Sequence, residues 1–183
     1  MNPAPNLFFI GPMGAGKTTV GRQIAELFQM PFFDLDHEIE ARTGASVSLI
    51  FELEDEEGFR RRERALLAEF TARNHLVLAT GGGAVLDPDN RRLLRERGFV
   101  IWLDASIDAQ LARLTRDRQR PLLHAPDRRV RLEQLAIERN PLYAEIADLT
   151  VRSAGVGNCT HTANDLLDLL EARWQRGNTV AAA

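Results

Sequence analysis

"LFFIGPMGAGKTTVGRQIAELF", residues 7–28, divides into three pieces. Residues 7–10 are a short unbroken apolar run, the pattern of a strand buried on both faces. Residues 11–18, "GPMGAGKT", match G-x-x-x-x-G-K-[ST]. Glycines there let backbone N–H groups turn inward on phosphate oxygens, and the helix that follows offers its positive end. From Thr18 to Phe28 the apolar residues Val20, Ile24, Leu27 and Phe28 recur at helical spacing. A strand, a glycine turn and a helix in that order predict a phosphate-binding loop. Gly14, Ala15, Gly16, Lys17, Thr18 and Thr19 are expected to wrap nucleotide phosphates, with Lys17 on the outer ones and Thr18 facing magnesium. Of 23 Lys and Arg residues, only Lys17 is lysine. A phosphate cradle fits a compact ammonium better than a planar fork, which accounts for the exception.

The rest of the chain alternates. Pro31 stops the first helix, and "FFDLD" (32–36) reads as a second strand ending near Asp34. Helical patterns cover about 36–43 and 47–73, and "LVLA" (76–79) is a third strand. Asp87-Pro88 opens a helix that Gly98 closes, followed by strand "FVIWL" (99–103) and a helix from Ser106 to Arg116. Residues 117–128 read as a polar, proline-broken loop. The helix after it is expected to be interrupted near Asn140-Pro141; "LTV" (149–151) is the last strand, and Thr162 is expected to cap a final helix to about Arg176. Strands alternating with helices place the chain in the α/β class, with a parallel sheet covered on both faces. Ligands then sit at the C-terminal ends of the strands. That points to Gly11 onward, Asp34 to Asp36, Gly81 to Gly83 and the chain after Asp104.

Composition narrows the function class. The 183 residues suffice for a full core in one domain. A net charge of −3 exerts no global pull toward nucleic acid or anionic membrane. One cysteine excludes an internal disulfide framework and a Cys-rich zinc site. No apolar run is long enough to span a membrane, and the N-terminus lacks a basic segment before its apolar run. A cytoplasmic enzyme or binding domain is expected.

Proteins with such a loop usually hold magnesium through an Asp at the end of a nearby strand. Here the third strand runs into Gly81, Gly82 and Gly83 instead. Asp34 and Asp36 flank Leu35, and residues two apart in extended chain face the same side. Both carboxylates would then project beside the phosphate loop, with Asp34 supplying the metal-side acid. In "FRRRE" (59–63) at least two arginines belong to a solvated face paired with nearby acids, and the spacing does not select the third. Seven arginines from Arg113 to Arg131 surround the proline-broken loop, the composition of a phosphate lid. The four histidines show no metal-ligand spacing and read as structural or exposed. Phe99 and Trp102 read as core strand residues, and Cys159 as inert.

"GPMGAGKT", "DLD", "GFRRRE", "TGGGAV", "RPLL" and "ERNPLY" occur in this order over nearly the whole chain, and in this the sequence resembles the shikimate kinases. The resemblance implies a P-loop kinase fold in a single domain over residues 1–183: a five-stranded parallel sheet of order 2-3-1-4-5, helices on both faces, and a mobile lid at about 113–128. The tail at about 177–183 is expected to fray. It implies ATP as co-substrate, Mg2+ as cofactor, and phosphorylation of the 3-hydroxyl of shikimate. Asp34 then matches the magnesium-side aspartate and Asp36 the aspartate that binds shikimate hydroxyls and assists deprotonation. Arg60 and Arg139 match carboxylate-binding arginines, and Gly81, Gly82 and Gly83 the triplet whose backbone helps form the shikimate pocket. Arg120 matches the lid arginine and Arg113, by its spacing to "RPLL", a position packed on adenine. A monomer is expected, with no nucleic-acid or membrane partner. A gluconate or nucleoside monophosphate kinase on the same fold would leave the triplet and Arg60 unexplained. A regulator that binds without turnover would leave both aspartates and the lid arginine unexplained. Two departures stand out: Thr18 replaces the commoner Ser, and "ELEDEEGF" (52–59) is more acidic than expected beside an anion pocket.

Overall fold

Strand β1 (Leu7–Ile10) is buried throughout and divides its side chains between two cores. Leu7 and Phe9 enter one, Phe8 and Ile10 the other, as strand alternation requires. In the computed structural model, which describes residues 4–114, 127–153 and 159–174, β1 is the middle strand of a five-stranded sheet of order β2-β3-β1-β4-β5. Its neighbours are β3 (Val77–Ala79) and β4 (Phe99–Asp104), with Phe9 opposite Ala79 on one side and Ile101 on the other. The outer strands are β2 (Phe32–Asp34) and β5 (Leu149–Arg152), and all four pairings are parallel.

Helix α1 (Lys17–Leu27) lays Val20, Ile24 and Ala25 on one face of the sheet, where α7 (Cys159–Arg173) adds Leu166 and Leu170. The other face is covered by α2 (Leu35–Thr43), α3 (Val47–Thr71), α4 (Pro88–Arg97) and α6 (Arg128–Ile146), which bring Leu35, Phe59, Leu67, Leu94 and Tyr143 onto Phe8 and Leu78. Fully burying a side chain such as Phe8 contributes about 1.5–3 kcal/mol by transfer from water. A short 3-10 turn, Ala84–Leu86, links β3 to α4. The helix starts follow local chemistry. Ser46 caps α3 by accepting from Leu49 N at 3.2 Å, and Asp87 caps α4 by accepting from Asp89 N at 2.8 Å with Pro88 in the first turn.

Three sequence expectations are corrected. Helix α6 is not interrupted near Asn140-Pro141 but runs through Pro141 to Ile146. Proline removes the bond that would reach the carbonyl four residues back. That carbonyl belongs to Ile137, which is 78% exposed, so water can satisfy it while Leu135, Arg139, Tyr143 and Ile146 hold the buried face. The last helix begins at Cys159, so Thr162 does not cap it; Thr162 is a buried residue inside the first turn. Trp102 is half-buried rather than fully in the core, with its ring against Tyr143 at 5.7 Å. Helix α5 (Ile107–Leu114) starts where expected. Most of the lid, including Arg120, and the tail lie outside the described residues, as do the side chains of Cys159 and His161.

Candidate active site

The chain segments leaving β1, β2 and β3 open into one cavity of about 330 Å³, completed by α3 and α6. Its first end is the phosphate loop. Gly16 caps α1 at φ 94°, a left-handed conformation that a side chain would strain, and it offers no cap of its own. Lys17, buried, donates from Nζ to the carbonyls of Gly11 and Pro12, both at 2.8 Å. Two further loop carbonyls are held from behind. Arg113 Nη1 donates to Gly14 O at 2.7 Å and to Ser153 Oγ at 2.9 Å, and Ser153 Oγ donates to Ala15 O at 2.8 Å. Carbonyls held outward leave N–H groups facing the cavity, which Gly14, Gly16, Thr18 and Thr19 line.

Beside the loop, Thr18 Oγ1 donates to Asp34 Oδ2 at 2.6 Å. Asp34 Oδ1 accepts from the backbone N–H groups of Asp36 and His37, at 3.1 and 3.4 Å. Asp34 is thus the cap of α2, and Asp36 stands in that helix's first turn. The expectation of two carboxylates aligned along an extended strand is therefore corrected: the strand ends at Asp34 because its own side chain starts a helix. Both acids still line the cavity. The Thr18 hydroxyl and Asp34 Oδ2 are hard oxygen donors beside the loop and fit magnesium, which takes few protein ligands alongside phosphate oxygens.

The other end of the cavity collects cations and glycines. Arg60, with 19% of its side chain exposed, donates to the fully buried Glu63 carboxylate at 2.7 Å and to Glu56 at 3.0 Å. Burial opposes its charge, but Glu63 and then Glu56 more than offset this and hold the guanidinium above its ordinary value. Arg61 and Arg62 pair on the surface with Glu57 and Glu54. The acidic stretch thus sits next to its own counter-ions. Burial pushes Glu63 up to about 6, only partly countered by Arg60 and reinforced by Asp36. Arg139 is buried, and the one carboxylate within ion-pair distance among the described residues is Glu138 at 3.9 Å. Its Nε has no hydrogen-bond partner among those residues. The Tyr143 hydroxyl is a further, neutral partner, so the charge of this buried cation at a cavity wall is met only by Glu138 at 3.9 Å among the described residues and calls for an anion. The glycine triplet faces these groups. A Cβ on Gly83 would collide with the Arg60 guanidinium, and one on Gly81 would meet carboxylate oxygens of Asp36 and Glu63 at 2.9 Å.

The family model for shikimate kinase matches residues 13–170. The chain belongs to the shikimate kinase family. It is 51% identical to the shikimate kinase of Stenotrophomonas maltophilia, over 96% of this chain and 97% of that one. It is 52% identical to shikimate kinase 1 of Escherichia coli, over 91% of this chain and 96% of that one. A shikimate kinase from Acinetobacter baumannii, solved in complex with shikimate, superimposes with a TM-score of 0.89 at 47% identity, covering 92% of this chain and 94% of that one.

Of the site residues expected for a shikimate kinase, all but Ala15, Arg113 and Arg120 line the one cavity. Ala15 is buried in the loop, Arg113 braces the loop from outside, and Arg120 is not among the described residues. Sequence reasoning missed Glu63 and Ser153. Glu63 was visible as the last residue of "FRRRE", three residues beyond Arg60 and so on its helix face. It read as the counter-ion of a solvated surface. No sequence signal marks Ser153, which reaches the loop across 138 residues of chain.

Proposed function

We propose that this cavity, within a single kinase domain, transfers the γ-phosphoryl group of ATP to the 3-hydroxyl of shikimate, a step of aromatic amino-acid biosynthesis. The observation that carries the reading is one cavity with a phosphate loop at one end and Arg60, Arg139 and the glycine triplet at the other. Backbone N–H groups from Gly14 to Thr19 wrap the phosphates, and Lys17 turns from its loop carbonyls to the outer ones. Thr18 and Asp34 hold magnesium, which supplies charge neutralisation on the outer phosphates when bound.

Arg60 and Arg139 bind the single carboxylate of shikimate as planar forks, with Glu63 holding Arg60 in place. The absence of side chains at Gly81, Gly82 and Gly83 lets the ring approach backbone. Asp36 accepts the hydrogen bond of the attacking hydroxyl and is placed to take its proton. Phosphoryl transfer needs alignment and neutralised charge more than covalent help, so positioning by these groups accounts for most of the rate. Arg120 closes over the phosphates with the lid, and Arg113 borders adenine while bracing Gly14. The enzyme works as a monomer in the cytoplasm, without a nucleic-acid or membrane partner. Among the described residues no helix is long and apolar enough to cross a membrane.

A coupled assay of ADP release tests this with a panel of acceptors: shikimate, gluconate and nucleoside monophosphates. Turnover should be confined to shikimate. Comparable turnover of gluconate or a nucleoside monophosphate would reject the reading.

A further inference from the structure

Tyr143 takes no part in the reactions assigned above, yet it is a buried phenol in direct contact with the glycine triplet. Its hydroxyl donates to the carbonyl of Gly82 at 2.5 Å, across 61 residues of chain. Its ring is fixed by burial and by Trp102 of β4, with centroids 5.7 Å apart. It projects from α6 one turn after Arg139, and that guanidinium bears on the same hydroxyl. Burial pushes the pKa of the phenol up, so it keeps its proton and remains a donor.

Geometry gives this hydrogen bond a consequence. No peptide in the described chain is cis. In a trans peptide the C=O and N–H vectors point in opposite directions. Gly82 and Gly83 both line the substrate cavity, whereas Tyr143 does not; it lines a small adjoining cleft, of which Met13 and Arg139 form the shared wall. A Gly82 carbonyl drawn back toward Tyr143 therefore turns the Gly83 N–H into the cavity. No hydrogen bond from that N–H is found among the described residues, and the Arg60 guanidinium lies against the Gly83 Cα. Glycine permits many peptide orientations, so an external tether is needed to select one.

We infer that Tyr143 is a positioning residue: by holding the Gly82 carbonyl it fixes the Gly82–Gly83 peptide so that the Gly83 N–H joins Arg60 and Arg139 in binding the acceptor's carboxylate. This rests on the proposed function, because it needs an anionic acceptor at that end of the cavity. The hydroxyl takes no proton from the reaction and touches no substrate. Its effect is on acceptor binding, through the amide.

The test is Tyr143→Phe, which keeps the ring against Trp102 and removes the hydroxyl, and with it both the tether to Gly82 and the contact with Arg139. Loss of the tether is read separately from the Gly83 amide, whose shikimate-induced shift should be smaller in the variant than in wild type. KM for shikimate should rise about tenfold, the scale of one hydrogen bond lost together with the orientation it enforces. KM for ATP should stay within twofold. Inhibition by shikimate methyl ester, which lacks the negative charge, should change less than twofold. A KM for shikimate unchanged within twofold, or equal rises for both substrates, would overturn the inference and assign Tyr143 to packing alone. A second measurement avoids the variant's folding. In the 15N-labelled wild type, the Gly83 amide should shift downfield when shikimate is added. An unmoved Gly83 amide would equally overturn it. Wild-type protein that does not phosphorylate shikimate would remove the functional reading itself. Active wild type with an unaffected variant removes only the role of Tyr143.

Discussion

Asp34 and Asp36 are two residues apart and chemically identical, yet their surroundings differ. Asp34 spends one oxygen on the start of α2 and the other on Thr18 beside the phosphate loop. Asp36 lies near Glu63 and the glycine triplet. Asp34→Asn should raise the magnesium concentration needed for half-maximal rate, and excess magnesium should partly restore turnover. Asp36→Asn should lose about 10²–10⁴-fold in kcat, the usual range for general-base help, with no restoration by magnesium. Magnesium titrations of both variants check the assignment, and rescue of Asp36→Asn instead of Asp34→Asn would reverse it. Glu63 adds a pH dependence. Its carboxyl is held at about 6 in the folded chain, above the ordinary 4.5, chiefly by burial. The folded state then binds that proton more tightly than the unfolded state. The stability it contributes is complete below pH 4.5 and is lost as pH rises through about 6. Glu63→Gln cannot titrate, so its stability relative to wild type should improve over that interval and level off above about pH 7. Urea midpoints of the two proteins across that range measure the difference. Parallel pH profiles would show that Glu63 ionises normally.

Helices and strands act on the site chiefly by bracing loops. Arg113 of α5 and Ser153, just after β5, grip the carbonyls of Gly14 and Ala15 and so keep the phosphate loop open toward its ligand. Ser153→Ala removes one grip and loosens the other. KM for ATP should rise roughly threefold to tenfold, the range for one net hydrogen bond, and KM for shikimate by less than twofold. Equal effects on both substrates would place the brace outside nucleotide binding. What was legible at this scale depended on the range of the interaction. The strands, the phosphate loop, the Asp87-Pro88 start and the Gly98 stop are written in adjacent residues, and each forms where expected. Helix α6 misled because proline's local penalty is real, whereas the burial of Arg139 and Tyr143 on either side of it is a tertiary fact. The Asp34 cap was misread for a related reason: strand alternation and helix capping both bring an Asp-x-Asp pair together, and only the backbone distinguishes them. Arg60 could be singled out from Arg61 and Arg62 by resemblance but not by spacing. Its partner Glu63 becomes visible only once burial is known.

Across the whole molecule, the strand order explains why these residues meet. With β1 between β3 and β4, and β2 beyond β3, the phosphate loop, the Asp34 turn and the glycine triplet leave the same edge of the sheet side by side. Thr80 ties two of them directly, its backbone N–H and side-chain hydroxyl both donating to Phe9 O, at 3.0 and 3.1 Å. Helices α3 and α6 then deliver Arg60 and Arg139 from segments far apart in sequence. The glycines take the place an acid would hold in many phosphate-loop proteins; on the proposed reading the acid is Asp34 and the space serves the acceptor. On that reading, the division of the cavity fixes which hydroxyl faces the phosphates once the acceptor's carboxylate is anchored at the far end. The most direct measurement is therefore the position of the phosphate on the product. After incubation with ATP, magnesium and shikimate, phosphorus–proton correlated NMR should show a single phosphate ester coupled to the ring proton at carbon 3, formed in step with ADP. Phosphate on another hydroxyl, or ADP and free phosphate accumulating beside unchanged shikimate, would contradict it.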